Sequence, residues 1–179
     1  MNSTLKFHNE RLFRHTPSVH FSDIGVPGSN GIDLVQHHGP AVSPPNHPGT
    51  GEKSFYVHRY QTDVNRVIHG ARVFELVSPQ SQLEFDHYLV MLTPQSGGLE
   101  IPPGVYHRSV SCDEGSILLN HAIRQAGYDE TQEFFPVLAH DDPKLLEILE
   151  RGKPQYVGRS RQAIEEFLLT KKYRKPYAI

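Results

Sequence analysis

The sequence predicts a mainly β domain, a sandwich or barrel, followed by two helices. Three observations predict it. From Ser54 to Phe135 short segments rich in Val, Ile, Phe and Tyr follow one another, each ended by Gly, Pro or Ser. Fourteen glycines and fourteen prolines supply many turns. Beyond Asp142 the apolar spacing changes from alternation to a helical period.

The elements follow in order. Residues 1–17 are polar and basic and read as an N-terminal arm or edge segment. Val19–Phe21 and Ile32–Val35 read as short strands around the turn Val26–Gly31. Residues 38–52 hold four prolines and three glycines, a long loop that is either a lid or a surface crossing. In Phe55–Tyr60, alternation puts Tyr56, His58 and Tyr60 on one face and Phe55, Val57 and Arg59 on the other. Strands are then expected over Val64–His69, Ala71–Val77, Phe85–Leu92, Leu99–Ile101, Tyr106–Val110 and Ser116–Ile123. Asp142 caps a helix with Pro143 at its first position, and Gly152 ends it. A second helix spans Ser160 to Lys172, with Ile164, Phe167 and Leu168 on one stripe. The apolar stripes of the two helices must be covered, by the barrel or by a second copy in a homodimer. The expected organisation is an arm (1–17), a barrel (18–138) and a helical appendage (139–179).

The chain has 179 residues, enough for one domain with a substantial core. Its net charge of −2 gives no electrostatic case for nucleic acid. The one basic cluster, Lys171–Lys175, reads as a solvated tail. No run of about 18 apolar residues predicts a membrane helix, and Met1–His8 lacks the apolar centre of a signal peptide. The single cysteine, Cys112, excludes an internal disulfide and suits a reducing, cytoplasmic setting.

Two stretches carry the chemistry. Pro102-Pro103-Gly104-Val105-Tyr106-His107 is a tight bend that delivers an imidazole at the mouth of a strand. Upstream, Tyr56-Val57-His58 is followed by Asp63 and Gly70. These stretches resemble the two short motifs of the cupin superfamily, a His-x-His pair with a later Glu and Gly, and Pro-x-Gly-x-x-His. His58 takes the place of the second histidine, Asp63 that of the glutamate and His107 that of the late histidine. Tyr56 stands where the first histidine would be, and Asp replaces Glu. The resemblance covers residues ~54–124 and implies a double-stranded β-helix, the jelly-roll barrel of that superfamily.

Two imidazoles and a carboxylate from separate strands form the 2-His-1-carboxylate set of non-haem Fe(II) sites, which also accepts Zn²⁺, Mn²⁺ or Ni²⁺. The expected metal ligands are therefore His58, Asp63 and His107. The expected activity is that of a metal-dependent enzyme, such as a dioxygenase, on a small organic substrate. Tyr56, Tyr106 and His121 are the expected substrate contacts, and His58 and Tyr60 the expected catalytic pair.

A narrower resemblance offers an alternative. Leu99–His107, with Tyr128-Asp129-Glu130 downstream, is similar to cupin-fold enzymes that epimerise or isomerise nucleotide-linked keto-deoxysugars without a metal. It implies His58 as base, since imidazole titrates near neutrality, and Tyr60 or Tyr106 as acid. Asp63 occupies the place where those enzymes carry a lysine. A non-catalytic small-ligand binder is the third reading. Of the other histidines, His69 reads as exposed and His87 as core lining, while His37 and His38 precede the proline-rich loop and could close over a ligand.

Overall fold

Two long antiparallel strands carry the architecture. The computed structural model describes residue 9 and residues 11–16, 18–25 and 30–170. Its strands are β1 (Arg11–Thr16), β2 (Val19–Asp23), β3 (Gly31–His37), β4 (Val42–Ser43), β5 (Ser54–Phe55), β6 (Gln61–Val77), β7 (His87–Leu92), β8 (Leu99–Ile101), β9 (Tyr106–Arg124), β10 (Val137–Leu138) and β11 (Gln155–Val157). Its helices are α1 (Glu130–Glu133), α2 (Pro143–Arg151) and α3 (Arg161–Thr170). The main sheet runs β1-β2-β3-β9-β6-β7-β11, with β4 also on β9 and β8 also on β6. Every pairing is antiparallel except β11 with β7.

Four of the expected strands are two. Val64–His69 and Ala71–Val77 join in β6, and Tyr106–Val110 and Ser116–Ile123 join in β9. The expected breaks are kinks instead. Between the pairs Gly70↔Ser116 and Arg72↔Ser111 the register jumps, so β9 spends four residues against one of β6. Gly70 lies at φ +73°, and a Cβ there would meet the Gly115 carbonyl oxygen at 2.3 Å. Only glycine fits this close approach. The bulge turns both strands, so that one sheet wraps around an apolar interior of Val19, Phe21, Val35, Val67, Phe74, Leu76, Val90, Leu92, Ile101, Val105 and Leu118.

The helices begin and end largely as their signals require. The Asp142 carboxylate accepts from the Lys144 and Leu145 amides, and Gly152 closes α2 in the left-handed conformation. Leu145 and Ile148 of α2 pack on Phe55 and Val77 in a second apolar cluster, and Ile164 of α3 is fully buried. The barrel thus covers the centre of each stripe, while Phe167 and Leu168 of α3 remain half-buried. The helical segment also contributes β11 to the sheet, an edge strand that alternation did not reveal. At the other end, β1 is an edge strand of the sheet. Within the proline-rich loop, Val42 and Ser43 pair with Val110 and Ser109 as β4. Met1–His8, Val26–Ser29 in the first expected turn, and the basic tail lie outside the described residues. No described helix is long and apolar enough to cross a membrane.

Candidate metal centre

The Pro-Pro-Gly bend and the segment before β6 are bound to each other. The Tyr56 and His107 backbones exchange two hydrogen bonds of 2.9 and 2.8 Å, and the Gly104 amide donates to the His58 carbonyl over 2.8 Å. Gly104 takes φ +82°, which the bend requires. Inward-facing alternation along β6 brings in Gln61, Asp63 and Asn65.

These contacts bring His58, Asp63 and His107 together. All three are buried, and their candidate ligand atoms lie within 4.8 Å of one another. The two imidazole rings are 5.1 Å apart between centres. Asp63 Oδ2 is 3.4 Å from His58 Nε2 and 3.8 Å from His107 Nε2. Each remaining ring nitrogen faces a carbonyl: His58 Nδ1 donates to the Glu133 carbonyl over 2.9 Å, and His107 Nδ1 to that of Val105 over 3.2 Å. A carbonyl only accepts, so the Nδ1 atoms carry protons, and the Nε2 atoms of neutral rings offer lone pairs to a common point. This is how metal-ligating histidines are held. Asp63 Oδ1 is occupied by Gln61 Nε2 at 2.7 Å and Asn120 Nδ2 at 3.0 Å, which leaves Oδ2 facing the imidazoles.

Electrostatics separate the two rings. Burial disfavours the His58 imidazolium, but the Asp63 and Glu133 carboxylates outweigh it and hold its pKa above the ordinary value. Burial, reinforced by His58, pushes His107 down to about 4. Burial would raise Asp63, yet His58, His107 and Asn120 hold it far below the usual carboxylate range. With a cation in place of the His58 Nε2 proton, the two imidazoles and the ionised carboxylate would form a donor set that fits a divalent ion.

The cavity in front of these residues is small, about 50 Å³. Its walls include Arg14, Asp33, Tyr56, Asn65, Arg72 and Phe134. Burial and the nearby Asp63 charge push Asp33 up to about 7. The Glu133 carboxylate accepts from the Arg59 amide at 2.8 Å and the Tyr60 amide at 3.1 Å, fixing the turn after His58.

Three expected site residues stand elsewhere. Tyr60 is 44% exposed, because the chain leaves the strand after Tyr56 and bends at Arg59 and Tyr60, which breaks the alternation. Tyr106 precedes His107 on β9 and takes the opposite face, where its hydroxyl donates to Asp142 Oδ2 over 2.9 Å beside the second apolar cluster. His121 is exposed, and its neighbours Asn120 and Ala122 face inward. Tyr56 lines the cavity as expected. His37 is buried but is not part of the cavity wall, and His38 is exposed. His69 is exposed, and His87 is buried beside Glu75. Sequence reasoning missed Asn120, Gln61 and Arg14. The alternating polar residues Gln61, Asp63 and Asn65, and a single amide within the apolar run Ile117–Ile123, were the available signals.

No protein-family model matches the sequence, and no curated protein does. Solved structures do match. Oxalate decarboxylase OxdC of Bacillus subtilis, in a SENS161-164DSSN mutant form, superposes at TM-score 0.51 with 11% identity over 93% of this chain and 41% of its own. CapF of Staphylococcus aureus, a capsular polysaccharide assembling protein, superposes at 0.50 with 12% identity over 71% of this chain and 31% of its own. The cupin domain of Drosophila melanogaster CENP-C reaches 0.48 with 10% identity over 64% of this chain and 70% of its own. The chain spans less than half the length of the oxalate decarboxylase and CapF chains. Both are cupin-domain proteins, and the expected barrel is the one observed. The chain has the cupin fold.

Proposed function

We propose that the protein is a metal-dependent enzyme acting on a small organic molecule, with His58, Asp63 and His107 holding one divalent cation. The observation that carries this reading is the shared orientation of the two imidazoles. Their Nδ1 atoms are tied to backbone carbonyls and their Nε2 atoms lie on the same carboxylate oxygen. Three protein ligands leave positions open, and a cation there would polarise a substrate oxygen as a Lewis acid or, if Fe(II), support oxygenase chemistry. The chain's own groups would orient the substrate: Tyr56 and Arg14 form part of the wall, and the small cavity limits it to a few heavy atoms. The buried Asp33 is placed to give or take a proton at its carboxyl group. The match to oxalate decarboxylase agrees with this reading without naming the substrate.

Elemental analysis of protein purified without a histidine tag tests it. We expect near-stoichiometric Fe, Zn, Mn or Ni, lost in Asp63→Ala. Absence of metal, with no uptake of Fe(II), Zn²⁺, Mn²⁺ or Ni²⁺, would refute it. The metal-free epimerase or isomerase alternative draws on the close His58–Asp63 pair, which can act as a base. Tyr56 would then replace Tyr60 and Tyr106 as the acid, because it lines the cavity. That reading requires activity that survives chelators and is abolished by His58→Ala. A non-catalytic ligand binder would take up metal or ligand without turnover.

A further inference from the structure

With no ion pair to a described carboxylate, a half-buried cation stands in the wall of the same cavity. Arg14 enters it from the edge strand β1. Its guanidinium carbon lies 3.9 Å from the centre of the Phe21 ring and 4.3 Å from that of Tyr56. Tyr56 in turn packs against His107, with ring centres 6.1 Å apart, and Phe134, 5.2 Å from the guanidinium, packs against His58. Arg14 thus sits over the aromatic side chains that flank both histidines.

The hydrogen-bonding capacity of this guanidinium is barely used. A guanidinium carries five N–H donors. Among the described residues it makes one hydrogen bond, a long one of 3.4 Å from Nη1 to the Phe134 carbonyl, and Nε is buried without a described partner. No described carboxylate forms an ion pair with it. Stacking on Phe21 and Tyr56 fixes the plane of the fork but neutralises no charge. A structural tether would need one donor and no charge, and the Asp33 and Asp63 carboxylates act on the guanidinium through the field of the cavity and not through an ion pair. Arg14 and Arg72 line the cavity with Asp33 and Asp63, and a divalent ion at the triad would add two further positive charges. Arg72 is also buried without a carboxylate partner, its donors going to Ser116 and the Val35 carbonyl.

We infer that the substrate is a small carboxylate, clamped by the Arg14 guanidinium with its reactive end at the metal centre. The planar fork matches a carboxylate through two parallel N–H···O bonds, and the inner space of about 50 Å³ suits a small acid. This deepens the metal-enzyme reading of the same cavity, but binding of the carboxylate by Arg14 does not require the metal, so the two can fail separately.

Calorimetric titration of the full chain, Zn²⁺-loaded and metal-free, with formate, acetate, pyruvate, inorganic phosphate and neutral pyruvamide provides the test. Wild type should bind pyruvate about tenfold or more tightly than pyruvamide. Arg14→Gln should abolish that preference with metal content unchanged. Arg14→Lys, a charge without the fork, should keep only part of it. Arg14→Met should leave Tm unchanged or raised, which a structural arginine would not allow. If Arg14→Gln fails to fold, Arg14→Lys decides, and pyruvate affinity equal to wild type overturns the clamp. The clamp is also overturned if wild type binds none of the carboxylates in either form, binds phosphate more tightly than any of them, or binds pyruvamide as well as pyruvate. A protein that takes up no metal but keeps an Arg14-dependent preference for pyruvate would retain the clamp and lose the metal reading.

Discussion

The Asn120 side chain donates to Asp63 Oδ1 over 3.0 Å, and this bond selects which oxygen of the carboxylate faces His58 and His107. Gln61, two residues before Asp63 on the same strand face, adds a second donor to Oδ1. Oδ2 is then the oxygen available to a cation. The carboxylate is oriented by two amides that would never themselves touch a metal.

Asn120→Ala should therefore weaken metal binding by about 10- to 100-fold, the usual effect of losing an outer hydrogen bond to a ligand. Competition against a chromophoric chelator measures it. Asn120→Asp should raise the Asp63 pKa in the ion-free protein, because a second carboxylate beside Asp63 repels its charge and cannot donate when ionised. Affinity unchanged in Asn120→Ala would show that Asp63 is oriented by Gln61 alone.

Acidification should destabilise the metal-free protein through His107. Its folded-state pKa of about 4 lies below the ordinary 6.5, so between these values the unfolded chain binds more protons. Stability should fall as pH drops through that window. Urea midpoints at pH 7 and pH 5 for wild type and His107→Gln check this, and the variant should show a smaller drop. His58 acts in the opposite direction. Its raised pKa contributes stability that is present below its unfolded value and lost as pH rises through its folded value.

Glu133→Ala should disturb the centre from outside it. The Glu133 carboxylate, buried at 2% exposure, holds the Arg59 and Tyr60 amides and so sets the turn that aims His58. Losing both acceptors should lower stability by about 1–3 kcal/mol and weaken metal binding, with Glu133→Gln restoring part of each. Denaturant unfolding and chelator competition on the same three proteins test this.

Leu145→Ala should destabilise by about 2–5 kcal/mol, the range for a fully buried leucine, because Leu145 fills the seam between α2 and the barrel beside Phe55 and Val77. Metal content should not change, since this seam lies on the other side of β9 from the histidines. A loss below about 1 kcal/mol would mean that the seam collapses around the gap.

The sequence by itself determined the class of fold, most element positions and the three residues, His58, Asp63 and His107, that the fold brings together. Alternation and turn residues depend on local backbone sterics, and these act before any tertiary contact forms. The Pro-Pro-Gly bend and the position of His107 belong to this kind, as do the Asp142 cap and the Gly152 stop. Tertiary structure decided which way the neighbouring side chains face. Tyr60 left the cavity because Glu133, 73 residues away, holds its amide in a bend. Tyr106 and His121 took the faces opposite to His107 and Asn120 because each is their immediate neighbour on β9. Arg14 reached the cavity only because β1 joins β2 at the edge of the sheet, a long-range closure that no local signal in a polar N-terminal segment announces. Gly70 reads as a strand end in sequence, yet it is a kink because the Gly115 carbonyl approaches it from a strand 45 residues on. Local sterics are written in short windows of sequence, whereas facing and closure depend on which distant backbone arrives to pair.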